Sequence, residues 1–197
     1  MTFSSLLDCV EADLKGEEKR YNSNNVGAKA LLEEAMANPQ STARIAGHPI
    51  HPMLIPFPIA FFVGTFACDV AYWITGNANW AMVTPWLLGA GIIMGALAAL
   101  AGLTDVIGEQ RIRALNDVWL HAGGMVIVIL IEIYNWYARY TEGAAAILPK
   151  GIILSLVVVC ILLFAGWMGW NMVYRHRVGI ADEALAVQSS ATQRRAA

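Results

Sequence analysis

The chain has 197 residues, of which 57% are hydrophobic and 14% charged, and its formal net charge is -2. Soluble domains carry about 25% charged residues, so this composition argues against an ordinary water-soluble core. The small net charge also argues against a dominant electrostatic attraction to nucleic acid.

The apolar residues are unevenly spread. The first 47 residues are polar and charged, and four apolar blocks follow residue 53. The opening, MTFSSLLDCVEADLKGEEKR, lacks the basic leader, apolar run and small-residue cleavage site of a secretory signal. Two short amphipathic helices are expected in this extension. Leu6, Leu7, Val10 and Leu14 recur at helical spacing behind Ser5 as a cap. A second helix is expected near residues 27–37, with Ala30, Leu31 and Met36 among Lys29, Glu33 and Glu34 and with Pro39 beyond its end. Neither is long or apolar enough to span a bilayer.

Four spans are expected, at about residues 54–75, 81–106, 118–140 and 148–174. Each meets the roughly 20-residue requirement for crossing the hydrocarbon core. The short connections GNANW, IGEQRIRALND and TEGAAAI predict antiparallel neighbours. The expected fold is therefore all-α: an integral membrane four-helix up-down bundle (residues 45–179). An amphipathic extension (residues 1–44) precedes it and a flexible tail (residues 180–197) follows.

Small residues support close helix packing. Gly91, Gly95 and Ala99 recur at four-residue spacing, as do Ala98 with Gly102, and Ala60, Gly64 and Cys68. Aromatic belts are expected at the two interfaces. One holds Tyr72, Trp73, Trp80, Tyr134, Trp136, Tyr137 and Tyr140; the other holds Trp119, Trp167, Trp170 and Tyr174. Four spans put both termini on one face. That face carries eleven basic residues (Lys15, Lys19, Arg20, Lys29, Arg44, Arg111, Arg113, Arg175, Arg177, Arg194, Arg195) against Arg139 and Lys150 opposite. The positive-inside rule makes the basic face cytoplasmic.

All four histidines, His48, His51, His121 and His176, fall on that same face in this topology. Imidazole is the commonest haem and transition-metal ligand among side chains. The prolines of GHPIHPMLIPFP restrain the local backbone, and His48 and His51 share a face in either polyproline or helical geometry. The bland alternative is that these histidines are interface residues, caps or headgroup partners. Two imidazoles from one local motif cannot readily reach both faces of a macrocycle. His121 with His51 is therefore the favoured axial pair, with His48, His176 or Arg175 toward a propionate. A divalent metal on His48, His51 and His121 is the competing expectation. Asp69, Glu132 and Asn135 lie within spans and Asp105 ends one. Such groups support a proton path or a cofactor, or form a packed polar network. Cys9, Cys68 and Cys160 form no paired ligand motif.

The segment GHPIHPMLIPFPIAFFVGTFACDVAYW resembles the opening of a bacterial membrane family known as domain of unknown function 2231. GLTDVIG, LHAGGMVIVILIEIYNWYARY and GWMGWNMVYRHRVG are similar to it as well, so the resemblance covers residues 45–179. It implies a four-helix membrane domain, and fusion of some relatives to Rieske-type domains implies electron transfer. The leading functional expectation is a small cytochrome-b-like redox subunit in the bacterial inner membrane. It would bind haem b and relay electrons between a quinone and a partner protein. The alternatives are a non-enzymatic anchor or scaffold within a larger complex or homo-oligomer, and a histidine metal-binding membrane protein.

Overall fold

The computed structural model describes residues 15–23, 25–28 and 37–180. The first expected amphipathic helix, at Leu6–Leu14, lies outside the described residues, as do most of the second and the tail beyond Ile180. Residues 15–23 and 25–28 are helical and exposed, and belong to a unit separate from the compact body at Asn38–Ala181.

The body opens with a two-stranded hairpin, β1 (Arg44–Ile45) and β2 (His48–Pro49). Its turn residues Ala46 and Gly47 have φ of 50° and 82°. Positive φ at both central residues matches the right-handed strand twist, and glycine adopts it without a Cβ clash. A short helix, α1 (Ile50–Leu54), leads through Ile55 into α2 (Pro56–Thr75). Gly76, at φ 63°, stops α2 in a left-handed cap. The Asn77 side chain then caps α3 (Ala78–Gly108) by accepting from the Asn79 amide at 3.0 Å. The GNANW turn is thus a stop signal placed directly against a start signal.

A single turn, α4 (Gln110–Arg113), connects α3 to α5 (Asn116–Glu142). Its cap, Glu109, accepts from the Arg111 amide at 3.0 Å and pairs with the Arg111 guanidinium at 3.2 Å. These hydrogen bonds hold the Glu109 carboxyl below the usual glutamate range. Beyond α5, Gly143 turns at φ 61°, and α6 follows at Ile152–Trp170. The fourth span was expected to begin at residue 148. The structure delays it, because Leu148 is extended at φ -113° and ψ 129° ahead of Pro149. Proline disfavours helical geometry in the residue before it.

Among the described residues three helical stretches are long and apolar enough to cross a membrane: Ile50–Thr75, Ala78–Gly108 and the 60-residue run Asn116–Arg175. The chain is an all-α membrane protein. Helix α2 packs on α3 and α6, and α5 packs on α3 and α6, so α2 and α5 lie diagonally across the middle. The apolar centre takes Phe62, Leu88, Val128, Val158 and Leu162 from these helices. The glycine stripe of α3 admits it: a Cβ at Gly91 would overlap the Phe62 ring, and one at Gly95 would come within 2.8 Å of Ile129. On α2 the stripe is less enclosed, since Ala60 is exposed.

The surface is strongly apolar, with Trp86 at 82% and Leu163 at 72% exposure. The expected belt residues Trp73, Trp80, Tyr134, Tyr137, Tyr140, Trp119, Trp167, Trp170 and Tyr174 are also exposed. Lipid is the solvent for such a surface. The glycine contacts make a contrast testable. Gly91→Leu forces a side chain into the Phe62 ring and should destabilise by about 1–3 kcal/mol. Gly123, with open space around it, should accept Leu with little change. Thermal unfolding in one detergent compares the two variants.

Candidate functional site

Two polar levels lie inside the apolar helices. The first is a histidine pair. His51 sits at the start of α1 and His121 in the second turn of α5, both half-buried. Their ring centres are 6.1 Å apart and their planes meet at 86°. Nδ1 of His51 lies 2.6 Å from the Ala98 carbonyl of α3, and Nδ1 of His121 lies 2.9 Å from the Ala165 carbonyl of α6. A carbonyl oxygen only accepts, so each Nδ1 must carry the proton. A neutral imidazole held this way has its lone pair at Nε2. That is the tautomer of a ligating histidine whose other nitrogen is anchored by a carbonyl. Gly102 lets α3 approach, since a Cβ there would stand 3.0 Å from the His51 ring.

The other two histidines lie elsewhere. His48 is exposed on β2, because the chain passes from strand to helix between it and His51. The motif is thus neither one polyproline run nor one helix turn. His176 Nε2 stands 3.6 Å from Asp117, tying the end of the α6 stretch to the start of α5. Arg175 is exposed. Among the described residues no group of three or more His, Cys, Asp or Glu side chains is arranged to hold a metal ion.

Asp105 does different work. Its Oδ1 accepts from the amides of Thr42 (2.7 Å) and Ala43 (2.8 Å) and from the Ser41 hydroxyl (2.9 Å). It fastens the segment before β1 to the end of α3, where a Cβ on Gly108 would collide with Thr42. The Gly179 amide reaches the Pro39 carbonyl at 2.8 Å, so residues 38–44 join the compact body. Cys68 is half-buried and Cys160 exposed, both free thiols.

The second level is an ion-pair network in the interior. Arg139 Nη1 and Nη2 donate to the two Asp69 oxygens at 2.6 and 2.7 Å, and both side chains are essentially inaccessible. The Ser155 hydroxyl donates to Asp69 at 2.8 Å. Arg139 Nε donates to Asn135 at 3.0 Å, and Asn135 donates to Glu132 at 3.0 Å. Sequence reasoning placed Asp69, Glu132 and Asn135 inside the spans but counted Arg139 as an interfacial charge and passed over Ser155. A signal was present. Residues 132, 135 and 139 share one helix face, and Asp69 follows His51 by the 18 residues that separate Arg139 from His121. Eighteen residues are five helical turns, or about 27 Å. Each of the two diagonal helical stretches therefore carries a histidine near its start and the opposite charge five turns later.

The family model described as predicted membrane protein (DUF2231) matches residues 47–182. The chain belongs to that family. No curated protein and no solved structure matches it. The match begins at the Gly47 turn and includes both polar levels.

A buried bidentate pair is fragile to single substitution. Arg139→Met leaves Asp69 buried without its countercharge and should cost about 3–5 kcal/mol. The double variant with Asp69→Leu and Arg139→Met should recover most of that loss. Thermal midpoints of the single and double variants in detergent give the measurement.

Proposed function

We propose that the chain is a four-span up-down bundle that holds haem b between His51 and His121 as a small cytochrome-b-like redox subunit. The observation that carries this reading is the separation of the two anchored imidazoles. A metal–imidazole nitrogen bond of about 2 Å puts each ring centre about 3 Å from the ion, so two rings bound on opposite sides stand about 6 Å apart. Two rings at a tetrahedral angle would stand nearer, at about 5 Å. The observed 6.1 Å is the separation at which His51 and His121 would hold one haem iron between them. His51 also belongs to the stretch packed on α3 and His121 to the helix packed on α6, so the donors come from two different helix pairs.

Haem supplies one-electron chemistry when bound. The chain's own residues do the rest. The Ala98 and Ala165 carbonyls orient the rings and raise the basicity of Nε2. The surrounding apolar helices limit water and lower the local dielectric, which acts on the potential. Arg175 would supply positive charge for propionates, and its neighbour His176 reaches Asp117 at the start of α5. A quinone and a partner protein complete the electron path in this reading.

Length supports the four-span reading. A straight 60-residue helix would extend about 90 Å, three times the hydrocarbon core. The turns at Gly143 and Leu148 divide this run, and α5 packs on α6. In this reading both termini are cytoplasmic in a bacterial inner membrane. Burial of Arg139 in its ion pair removes one of the two basic residues assigned to the opposite face, which sharpens the charge bias.

Topology has a direct check. In a cysteine-free background, Gly143→Cys should react with an impermeant thiol reagent added outside intact cells, and Arg113→Cys should not. The reverse pattern would overturn the orientation.

The haem reading is tested by the reduced-minus-oxidised spectrum of protein purified from haem-sufficient cells. A sharp α-band is expected. His51→Ala and His121→Ala should each lose it, while His48→Ala should keep it. Intact protein with no haem would sink the redox reading and leave the non-enzymatic membrane scaffold in its place.

A further inference from the structure

Glu132 is fully buried on α5. Its Oε2 accepts from Asn135, but its Oε1 has no hydrogen-bond partner among the described residues. The nearest cation is already committed. Arg139 gives Nη1 and Nη2 to Asp69, Nη2 also to Ser155, and Nε to Asn135. One guanidinium thus faces two carboxyl groups, and its charge is matched by Asp69 alone.

The neighbouring helices supply no second positive charge. On α2 the titratable residues are Cys68, Asp69 and Tyr72. The single ionisable residue of α3 is Asp105, at its far end, and that of α6 is Cys160, which is exposed. On α5 itself, His121 lies eleven residues away, about 16 Å along the axis. An anionic Glu132 would leave an unmatched charge in an apolar interior, where bare carboxylates are strongly disfavoured. A proton on Oε1 removes the charge and keeps the bond from Asn135 to Oε2.

We propose that Glu132 is an intramembrane proton-binding site, taking one proton from solvent on Oε1. The step breaks one O–H bond of a solvent hydronium and forms one at Oε1, moves no electron, and takes the side chain from carboxylate to neutral acid. The site lies between the histidine pair and the ion pair along α5. It stands on the packing around Glu132 and does not depend on haem.

Infrared spectroscopy of the full chain in lipid vesicles at neutral pH tests it. Wild-type protein should show the carbonyl stretch of a protonated carboxylic acid, shifted in heavy water. Glu132→Gln should lose this band, while Glu142→Gln, at an exposed carboxylate, should keep it. A second readout is thermal stability against pH. A carboxyl that holds its proton in the fold but ionises when unfolded binds more protons folded than unfolded. Wild-type stability should therefore fall as pH rises above the ordinary glutamate range, and Glu132→Gln should lack that fall. Carboxylate bands alone in the wild type, or an acid band that survives Glu132→Gln, would overturn the proposal. Neither readout involves the histidines, so its failure leaves the haem reading standing, and the reverse also holds.

Discussion

The ion pair between Asp69 and Arg139 is the contact on which the interior depends. It joins α2 and α5, two helices that face each other diagonally and share little direct backbone packing. In a bilayer there is no water to compensate either charge, so each side chain must find the other. Two hydrogen bonds between a planar guanidinium and a carboxylate fix orientation as well as distance. Ser155 reaches the same Asp69 oxygen from α6, so a third helix is held to the pair. The network sets the relative rotation of these helices, something an apolar core of interchangeable methyl groups specifies weakly.

That rotation reaches the other polar level. His51 and Asp69 lie five turns apart on one helical stretch, and His121 and Arg139 lie five turns apart on another. Five turns of an α-helix return to the same face. Aligning the charged ends of the two stretches therefore also aligns the histidine ends. The carbonyls of Ala98 and Ala165 finish the placement by holding one nitrogen of each ring. Small residues matter here for a stated reason: Gly102 leaves the space that the His51 ring occupies.

Much of the fold was legible in the sequence because bilayer thickness imposes a length that apolar blocks must meet. The glycine stripe of α3 is a local signal that was read; the Gly76–Asn77 stop and start and the proline after Leu148 are local signals too, and the expected span bounds ran past that proline. Other features were hidden because they depend on which faces meet. Arg139 follows a run of aromatic residues near the end of a span, so position alone made it an interfacial charge. Only its partner on α2 shows it to be interior. Ser155 is one hydroxyl in a long apolar run and gives no pattern of its own. Asp105 was legible only as a polar span end, yet its Oδ1 is taken by the backbone amides of residues 42 and 43. The short HPIHP motif misled in another way. Its spacing suits two regular conformations, and the chain adopts neither throughout, because a hairpin ends where a helix begins.

The two polar levels divide the work of a membrane bundle. At the ion-pair level every Arg139 donor nitrogen is used, which favours one packing arrangement over its neighbours. At the histidine level one nitrogen of each ring is committed to a carbonyl and the other makes no such bond. Rigidity at one end thus orients donors at the other. A bundle with only the histidine level would have to hold two imidazoles 6.1 Å apart by apolar contacts, which tolerate sliding and rotation. A bundle with only the ion pair would be a packed scaffold. The equal spacing of the two levels on two separate stretches lets one sequence periodicity serve both.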